Sequence, residues 1–448
     1  MTPNSTRVHF LGIGGSGMAT AAALAADAGF AVSGSDAGIF PPMSDFLREK
    51  GLAVRDGYRP ENLEPAPDLV VVGNALSRGN PEVEALLDRR LPYCSLPEFL
   101  RERFFPGRRV TAVCGTHGKT TITTLLAWLL ESAGRSPTFL AGGIALNFDG
   151  GYRLGTGGDF IIEGDEYDTA FFDKRSKFLV YRPHNVVLAN VEFDHADIFA
   201  SMEEYTLAFR RLVNLVPGNG FLVVNAGDPL AREVAAPCRG RSIPVSPSDP
   251  LPCEFPLPGE HYRLDALLAA AAAAQLGLSD GEIARGMVSY RGVKRRLERI
   301  FAGAGVTLYD DFAHHPTAIR LDLETLRAKH PGARIRALFE PRSNTLRRAI
   351  FQEALPAAFA AADEVIVGAV HRAGQLEDGE RLDPRRLARE IAAGGRRARQ
   401  IEDVGEIVAA VLGDLRPGDV VAVLSNGAFG GLIPLLRERL EAWAAERR

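Results

Sequence analysis

The sequence is poor in cysteine and has no long apolar segment. Its 448 residues include four cysteines, none of them in Cys-x-x-Cys spacing, so neither a zinc site nor a disulfide framework is indicated. The most apolar stretch, 264–278, is interrupted by Asp265 and Gln275 and is too short to span a bilayer. No leader-like segment precedes the first predicted strand. We therefore expect a cytoplasmic protein that does not act in a membrane.

Lysine is also scarce, and positive charge does not predominate. The chain has 52 Lys and Arg against 56 Asp and Glu, a net charge of −4, which excludes a strongly basic nucleic-acid-binding protein. Six of the basic residues are lysine, at positions 50, 119, 174, 177, 294 and 329, so each lysine is a candidate for a role that arginine cannot fill. The length predicts about three domains.

Strand-like and helix-like segments alternate along the chain. Apolar runs at Val8–Ile13 and Val110–Cys114 each lead into a glycine-rich turn and a helix. Repeated βαβ patterns of this kind predict parallel sheets with right-handed crossovers. We therefore predict three consecutive α/β domains: a Rossmann-like domain at 1–107, a P-loop ATPase domain at 108–294 and a Rossmann-like domain at 295–448. The proline-rich segment 241–259 is expected to be irregular.

The first glycine-rich turn is Gly12-Ile-Gly14-Gly15-Ser16-Gly17, which matches the pattern G-x-G-x-x-G. Glycines let the backbone approach a diphosphate, and the following helix N-terminus supplies N–H groups and a positive dipole end. The turn predicts a dinucleotide or nucleotide-diphosphate site; the alternative is a tight turn without a ligand. Ser35-Asp36 follows the second strand, where a ribose-binding acid stands in an NAD enzyme.

The second turn, Gly115-Thr116-His117-Gly118-Lys119-Thr120-Thr121, ends like a phosphate-binding P-loop. Lys119 would neutralise the β- and γ-phosphates, backbone N–H groups would surround them, and the Thr120 hydroxyl would hold Mg²⁺. Val113 occupies the usual place of the first glycine, so this is a shortened variant. The alternative is a chance Gly-Lys-Thr at a helix start.

Acidic and histidine residues follow two later strands. The segment Glu163-Gly-Asp165-Glu166-Tyr-Asp168 is rich in carboxylates, which Mg²⁺ prefers together with substrate phosphates. We predict Glu166 as a metal ligand; a solvated acidic turn is the alternative. His195 ends the segment 190–195 and is predicted as a second metal ligand or a transition-state electrophile, with a structural role as the alternative.

The third predicted domain carries three polar segments after strands. Asp310-Asp-Phe-Ala-His-His-Pro-Thr317 has Pro316 at a helix start, and its histidines predict metal binding or phosphate steering, or else capping. Glu340-Pro-Arg-Ser-Asn-Thr345 offers an arginine and small donors that suit a carboxylate. Segment 425–431 predicts an anion-binding nest. Because ligands gather at the carboxyl ends of parallel strands, we expect all of these segments to serve the site.

Taken in order, these motifs resemble those of the Mur ligases. The resemblance rests on residues 12–18, 115–121, 163–168, 190–195, 295–298 and 310–317, and it covers nearly the whole chain. It implies an N-terminal domain for a UDP-sugar, a central domain for ATP and Mg²⁺, and a C-terminal domain for the incoming amine.

Within the family, the resemblance is strongest to ligases that attach L-alanyl-γ-D-glutamyl-meso-diaminopimelate to the lactyl carboxylate of UDP-N-acetylmuramic acid in peptidoglycan recycling. It rests on residues 41–44, 74–81, 171–178, 194–199, 340–345 and 425–427. It implies that ATP phosphorylates the carboxylate and that the tripeptide amine attacks the acyl phosphate. Ligation of L-alanine on the same scaffold is the alternative; those relatives usually carry His-Arg where this chain has Pro341-Arg342-Ser343.

The resemblance also assigns roles to individual residues. It makes Lys119, His195, Arg296 and His314 catalytic. The expected ATP contacts are Gly115, Thr116, His117, Gly118, Lys119, Thr120, Thr121, Asp265 and Asp311. The expected UDP-substrate contacts are Gly12, Gly14, Gly15, Ser16, Gly17, Ser35, Asp36, Asn74 and Ser77. The peptide is assigned to Arg342, Ser343 and Asn344, and the metal to Thr120, Glu166 and His195.

Three departures and two broader alternatives complete the prediction. One departure is Ala428, which replaces an expected glycine in the last loop. Tyr262 and Asp265 stand in the family's adenine motif, and an Asp accepts from the adenine amino group but cannot donate to a ring nitrogen. Arg182 stands where we expect a carbamylated lysine in many members, and arginine cannot be carbamylated. An NAD-dependent oxidoreductase would explain the first glycine turn but not the second. A non-enzymatic nucleotide-binding regulator would use both turns without turnover.

Overall fold

The computed structural model describes residues 6–39, 43–377 and 379–447, so Pro41 and Pro42 of the motif at 41–44 lie outside the described residues. The described chain divides into two compact units. The first contains the residues up to Phe193, Ser201–Pro256 and Leu264–Gly292, and the second contains Asp194–Ala200, Leu257–Arg263 and the residues from Val293 onward. Among the described residues, no helix combines the length and apolar character needed to cross a membrane.

The first unit begins with a parallel sheet of order β3-β2-β1-β4-β5. Its strands are β1 Arg7–Leu11, β2 Ala31–Asp36, β3 Ala53–Asp56, β4 Leu69–Val72 and β5 Tyr93–Ser95, and its helices are α1 Ser16–Asp27, α2 Met43–Glu49, α3 Pro81–Asp88 and α4 Leu96–Arg103. Strand order reverses at β1, which pairs with β2 on one side and β4 on the other. The crevice at such a reversal is where open α/β sheets bind ligands.

A second sheet in the same unit has the order β14-β13-β12-β6-β9-β7-β8, and β10 and β11 form a separate hairpin. The strands are β6 Arg109–Cys114, β7 Thr138–Ala145, β8 Gly150–Arg153, β9 Asp159–Glu163, β10 Asp168–Ala170, β11 Asp173–Ser176, β12 Asn185–Leu188, β13 Phe221–Asn225 and β14 Arg241–Val245. The helices are α5 Lys119–Ser132, α6 Lys177–Tyr181, α7 Met202–Val213, α8 Pro229–Ala235 and α10 Asp280–Val288, together with α9 Glu260–Gln275, whose first four residues are assigned to the second unit.

The second unit contains a sheet of order β15-β16-β20-β17-β18-β19, parallel except for the β15–β16 pair. Its strands are β15 Glu298–Gly303, β16 Val306–Asp311, β17 Arg334–Phe339, β18 Glu364–Val367, β19 Arg397–Gln400 and β20 Asp419–Leu424. Its helices are α11 Pro316–Lys329, α12 Leu355–Ala358, α13 Pro384–Ala393, α14 Val404–Leu412 and α15 Leu432–Ala445. Two apolar clusters cover the two faces of this sheet.

The predicted mixed α/β class with parallel-rich sheets is confirmed. Each sheet falls inside one of the predicted segments 1–107, 108–294 and 295–448, although those domain boundaries stay a prediction. One expectation is wrong: residues 241–245 of the proline-rich segment are strand β14. Pro244 is tolerated there because β14 lies at the edge of its sheet, where a missing N–H interrupts no further ladder.

Candidate active site

Three loops of the first unit meet where parallel strands end. Strand β6 pairs with β12 on one side and with β9 on the other, so the loops that follow these strands are neighbours. The loop after β6 is the glycine-rich segment 115–118, the loop after β9 carries the acidic residues, and the loop after β12 begins near Asn190. The topology therefore brings the predicted phosphate loop and two of the predicted metal ligands, Thr120 and Glu166, to one edge of the sheet.

Two glycines shape the phosphate loop. Gly118 has φ +80° and directly precedes α5, and a Cβ there would lie 2.3 Å from Asp265 Oδ1. Gly115 has φ +131°, and a Cβ there would lie 2.9 Å from the backbone nitrogen and oxygen of Asn190. A larger residue at either position would combine an unfavourable backbone conformation with a clash. The glycines thus allow the loop to pack closely while the N–H groups at the start of α5 remain available to an anion.

Lys119 lies at the first position of α5 and is folded over the loop. Its Nζ donates to the carbonyls of Gly115 at 2.7 Å and Thr116 at 3.2 Å, and to Glu166 Oε1 at 2.9 Å. Burial alone would lower the pKa of Lys119, but carboxylates led by Glu166 outweigh burial and raise this pKa, so the ammonium stays charged. The side chain of Glu166 is fully buried. The predicted phosphate lysine is therefore preorganised as a largely buried cation.

The hydroxyl of Thr120 faces a second carboxylate. Thr120 Oγ1 donates to Glu163 at 3.0–3.1 Å, and the backbone N–H of Gly142 donates to the same carboxylate at 2.7 Å. Glu163 ends β9, three residues before Glu166. The sequence favoured Glu166 among these acids, whereas the structure brings both Glu163 and Glu166 to the phosphate loop. Hydroxyl and carboxylate oxygens are the donor set that Mg²⁺ prefers.

The segment after β12 is hydrogen-bonded to the phosphate loop. Asn190 Oδ1 accepts from the His117 N–H at 2.8 Å, and the Asn190 carbonyl accepts from the Thr116 N–H. Thr116 Oγ1 donates to the Glu192 carbonyl at 2.7 Å, and the His117 ring contacts Glu192 Oε2 at 2.9 Å. The loop is therefore fixed by backbone and side-chain hydrogen bonds from a segment more than seventy residues away in sequence.

The first glycine turn is held by the end of β2. Gly12 has φ +88°, and the N–H groups of Gly12 and Ile13 donate to the Ser35 carbonyl. The Gly14 N–H donates to Asp36 Oδ2 at 2.7 Å, and a Cβ on Gly14 would lie only 2.8 Å from that oxygen. Asp36 therefore fixes the turn, and Ser35 supports it through its carbonyl and not through its hydroxyl.

The loop after β4 lies beside this turn, because β4 pairs with β1. A Cβ on Gly12 would lie 3.5 Å from Leu76, which stands between the predicted contacts Asn74 and Ser77. Asn74 is half-buried, Ser77 is exposed, and the N–H of Gly73 donates to the Leu11 carbonyl. The structure thus brings both parts of the predicted UDP-substrate site to the point where the strand order reverses.

Sequence reasoning missed a buried polar network under this turn. Glu82 is fully buried on α3; its Oε1 contacts His9 Nε2 at 2.8 Å and accepts from the Ser35 hydroxyl at 2.9 Å. Asn62 donates to its other oxygen at 2.9 Å. Buried carboxylates require such partners. The sequence carries no local signal for this network, because its members are separated by 20 to 73 residues.

In the second unit, His314 lies close to Asp194. Its Nε2 is 3.9 Å from Asp194 Oδ2, and its Nδ1 contacts the Phe312 carbonyl at 3.0 Å. Burial lowers the pKa of His314 to about 4 despite the neighbouring carboxylate, so the imidazole is neutral at pH 7. Burial would raise the pKa of Asp194, but nearby histidines, His195 first, lower it. His195 itself has φ +55° and belongs to this unit, whereas Thr120 and Glu166 belong to the first.

Asp311 organises the loop that carries Arg296. Its oxygens accept from the Leu297 N–H at 2.5 Å and the Ala313 N–H at 2.6 Å. The guanidinium of Arg296 lies over the ring of Phe312 at 5.2 Å. Asp322 faces Asp311, and burial raises the pKa of both carboxyl groups. Asp311 is almost fully buried, and its hydrogen bonds give it a structural role. Its contact with a ribose stays a prediction.

The adjacent histidine has a capping role. His315 is the N-cap of α11: its Nδ1 accepts from the Thr317 N–H at 3.2 Å, and Pro316 occupies the first turn as predicted. Of the two roles left open by the sequence for the histidine pair, the structure gives capping to His315 and leaves His314 facing Asp194.

The loop after β17 presents Arg342 beside the last strand. Arg342 Nη1 contacts Glu340 Oε1 at 3.4 Å and His371 Nδ1 at 3.2 Å, and a Cβ on Gly427 would lie 1.8 Å from Arg342 Nε. Glu340 also accepts a hydrogen bond from the buried Ser425 hydroxyl. The predicted segments 340–345 and 425–427 therefore do come together.

The other two predicted peptide contacts have structural partners. Ser343 Oγ accepts from the Leu346 N–H at 3.1 Å, which closes a turn. Asn344 Nδ2 donates to Asp197 at 2.7 Å, while its Oδ1 accepts from Arg347 at 2.8 Å. These bonds shape the loop that displays Arg342.

Arg182 and Asp265 are two of the positions at which the sequence departs from the motifs that it resembles. Arg182 is exposed in a left-handed conformation and precedes β12, whereas Asn190 and the metal-site segment follow that strand. The two lie at opposite ends of the strand, so the residue type at 182 has no bearing on metal binding at the loop. Asp265 lies beside Gly118 of the phosphate loop, and Tyr262 is buried; the predicted ATP contact of Asp265 stays a prediction.

Comparison with known proteins defines the class of the molecule. Three family models match successive parts of the chain: "Mur ligase family, catalytic domain" at residues 7–104, "Mur ligase middle domain" at 113–247 and "Mur ligase, glutamate ligase domain" at 295–427. The chain therefore belongs to the Mur ligase family, and it is a ligase of the acid–amino-acid type.

Individual relatives narrow the comparison. A UDP-N-acetylmuramate–L-alanyl-γ-D-glutamyl-meso-2,6-diaminoheptandioate ligase from Escherichia coli is 39% identical over 454 residues, 95% of this chain and 96% of that protein. A UDP-N-acetylmuramate–L-alanine ligase from Nocardioides is 38% identical over 437 residues, 96% of this chain and 95% of that protein. The crystal structure of a murein peptide ligase from Psychrobacter arcticus aligns with a TM-score of 0.73 at 34% identity, covering 96% of this chain and 98% of that chain.

Proposed function

We propose that the enzyme joins L-alanyl-γ-D-glutamyl-meso-diaminopimelate to the lactyl carboxylate of UDP-N-acetylmuramic acid, with conversion of ATP to ADP and phosphate. The observation that carries this proposal is the loop 115–121, where a largely buried lysine and a threonine hydroxyl lie within 3.1 Å of two carboxylates. A carboxylate is a poor acyl donor because oxide would have to leave. Phosphorylation supplies a leaving group, and it depends on positioning and charge neutralisation.

The nucleotide end of the reaction is assigned to the first unit. Lys119 and the N–H groups at the start of α5 neutralise and orient the ATP phosphates. Thr120, Glu163 and Glu166 form an oxygen donor set that suits Mg²⁺, and we assign Thr120 and Glu166 to hold it. His195 belongs to the second unit and stays a predicted ligand. Mg²⁺ when bound neutralises phosphate charge. Glu163 orients the Thr120 hydroxyl by accepting a hydrogen bond from it.

The UDP-sugar is assigned to the first glycine turn. The start of α1 and the backbone of residues 12–17 supply N–H groups for its diphosphate, while Asp36 keeps the turn in shape by accepting from Gly14. Asn74 and Ser77, on the adjacent loop, contact the remainder of the nucleotide sugar. This interpretation explains the dinucleotide-like pattern without a hydride transfer. An enzyme that transferred hydride would leave the phosphate loop without a role.

Amide formation is assigned to groups of the second unit. The alanine amine attacks the acyl phosphate, the tetrahedral intermediate forms the amide by expelling phosphate, and the nitrogen loses a proton. Because a pKa of about 4 makes His314 a weak base, we assign this imidazole to hydrogen bonding near the reacting carbonyl and not to removal of that proton. Arg296 is assigned to the leaving phosphate.

The tripeptide is favoured over L-alanine because of the loop after β17. L-Alanine has a single carboxylate, whereas the tripeptide carries several. Arg342 is held by Glu340 and His371. Arg347 lies on the same loop, and its pKa is lowered by burial and by the nearby positive charge of Arg372. A group of arginines suits several carboxylates through charge-assisted hydrogen bonds. Because ATP and UDP-sugars are cytoplasmic metabolites, we place the reaction in the cytoplasm.

A competition assay tests this proposal. The enzyme is given ATP, MgCl₂, UDP-N-acetylmuramic acid and equal concentrations of tripeptide and L-alanine, and the products are separated by mass. We expect the tripeptide adduct to dominate and ADP release to require the UDP-sugar. Faster formation of the L-alanine adduct would assign the enzyme to the other ligase activity of this scaffold.

A further inference from the structure

Tyr205 is a buried tyrosine that belongs to none of the sequence motifs. It lies on α7 with no solvent-exposed surface. Its hydroxyl is 3.3 Å from Glu166 Oε1 and 3.0 Å from Thr116 Oγ1. One phenol therefore connects the acidic loop after β9 to the phosphate loop after β6.

The neighbouring hydrogen bonds fix the direction of these contacts. Thr116 Oγ1 donates to the Glu192 carbonyl at 2.7 Å, so its only proton is already used and it meets Tyr205 as an acceptor. Glu166 is a carboxylate and also accepts. The phenolic proton of Tyr205 is therefore directed at Glu166 and Thr116.

Aromatic packing holds the phenol in this position. The ring of Tyr205 meets Phe209 edge-on at 5.2 Å and Phe193 at 6.2 Å. Phe209 in turn packs on Phe178, which follows the hairpin β10–β11 in the chain. A ring fixed between such neighbours has little rotational freedom, so its hydroxyl acts as a preorganised donor.

Glu166 Oε1 thus receives two donors of different kinds. Lys119 neutralises the carboxylate, whereas the neutral phenol of Tyr205 orients it and leaves its charge available to a cation. Lys119 is also the residue assigned to the ATP phosphates. A donor that carries no charge can hold Glu166 in place without competing with Mg²⁺ for it.

We propose that Tyr205 is a positioning residue that orients Glu166 for the Mg²⁺ of Mg·ATP and ties this carboxylate to the phosphate loop. The proposal rests on the proposed function in one respect: it takes Glu166 as a metal ligand. Tyr205 lies on α7, outside the phosphate loop 115–121 and the acidic segment 163–168. The proposal adds it to the residues that determine how strongly the metal–nucleotide complex binds.

Binding of ADP with and without metal tests the proposal. Affinity is measured by titration calorimetry in MgCl₂ and in EDTA for the wild type and Tyr205→Phe, which retains the ring. We expect about a tenfold loss of affinity for ADP in MgCl₂, the order expected for one lost hydrogen bond to a charged group. Affinity in EDTA should change less than about twofold, since the phosphate loop keeps its other bonds. The same variant should lower kcat with the KM for tripeptide unchanged.

Tyr290→Phe is the matched control. Tyr290 is also buried, and its hydroxyl contacts Thr124 Oγ1 at 2.7 Å on the packing side of the same helix α5. Tyr290→Phe should leave the increase in ADP affinity that MgCl₂ produces as large as it is in the wild type. Tyr205→Met is measured alongside as a second variant without the hydroxyl, and it should show the same metal-specific loss.

The outcomes separate this proposal from the proposed function. If the wild type forms no amide from its three substrates, the proposed function fails, whatever the variants do. If the wild type is active and Tyr205→Phe binds ADP in MgCl₂ as tightly as the wild type, the role of Tyr205 is overturned. An equal metal-specific loss in Tyr290→Phe would also overturn it, because the effect would then come from the packing of α5.

Discussion

Replacement of Lys119 by methionine should show separately how this residue contributes to stability and to catalysis. Lys119 Nζ lies 2.9 Å from Glu166 Oε1, and the two side chains are 13% and 0% exposed. Removing the cation leaves a fully buried carboxylate without its charged partner, which typically costs about 3–5 kcal/mol. The double variant Lys119→Met/Glu166→Gln removes both charges and should recover most of that loss. Turnover should fall at least about a thousandfold in both, because the phosphates lose their cation.

The two tryptophans make this effect measurable in one unit at a time. Trp128 lies on α5, the helix that Lys119 begins, and Trp443 lies on α15 of the second unit. In a Trp443→Phe background, urea unfolding followed by the fluorescence of Trp128 reports the first unit. With a urea dependence of about 3 kcal/mol per molar, a loss of about 3 kcal/mol lowers the midpoint by about 1 M.

Three results would refute this reasoning. An unchanged urea midpoint in Lys119→Met would mean that Glu166 is not a buried, charge-dependent group. Retained turnover in either variant would mean that Lys119 does not serve the phosphates. A double variant no more stable than the single one would show that the two side chains are not coupled.

Three further changes test other parts of the account. Gly427→Ala places a methyl group 1.8 Å from Arg342 Nε and should raise the KM for tripeptide about tenfold, with the KM for ATP unchanged. Arg336→Met leaves the buried Glu364, 2.8 Å from the Arg336 guanidinium, undercompensated and should lower the stability reported by Trp443 by about 2–4 kcal/mol. His314→Gln should make that stability less sensitive to acid. Because the folded pKa of His314 is about 4, below its unfolded value, the unfolded chain binds more protons between about pH 6.5 and 4, and stability falls as pH falls through this window.

Each of these changes has a contradicting outcome. An unchanged tripeptide KM in Gly427→Ala would remove Arg342 from peptide binding. A stable Arg336→Met would show that Glu364 is satisfied by its other partner, Arg399, at 3.0 Å. The His314 contribution is at most about 3 kcal/mol, reduced to about 1 kcal/mol by the partial exposure of the ring. Wild type and His314→Gln with parallel pH profiles would mean that this imidazole titrates normally.

Much of the fold could be predicted from local patterns. The apolar runs Val8–Ile13 and Val110–Cys114 correspond to strands β1 Arg7–Leu11 and β6 Arg109–Cys114. A buried parallel strand needs a short apolar run, and this requirement is visible in sequence. Edge strands such as β14 and β19 were missed, because Pro244 in one and alternating arginines in the other conceal the pattern.

The site divides in the same way. Lys119, Thr120 and the glycines of both turns were predictable, because the chemistry of a phosphate loop requires them at fixed spacing. The contacts of Tyr205 and Glu82 were not, since each depends on residues twenty or more positions away and neither residue type signals such a role. The choice between capping and ligand binding for His315 also required the structure, because a cap depends on backbone geometry.

The fate of the carboxylate oxygen distinguishes this mechanism from the alternatives. UDP-N-acetylmuramic acid labelled with ¹⁸O in its lactyl carboxylate is incubated with the enzyme, ATP, MgCl₂ and the tripeptide, and the phosphate and the nucleotide product are analysed by mass spectrometry. Activation as an acyl phosphate predicts one ¹⁸O in the released phosphate for each UDP-N-acetylmuramoyl-tripeptide formed. Amide formation with unlabelled phosphate, or ADP release without amide, would contradict it.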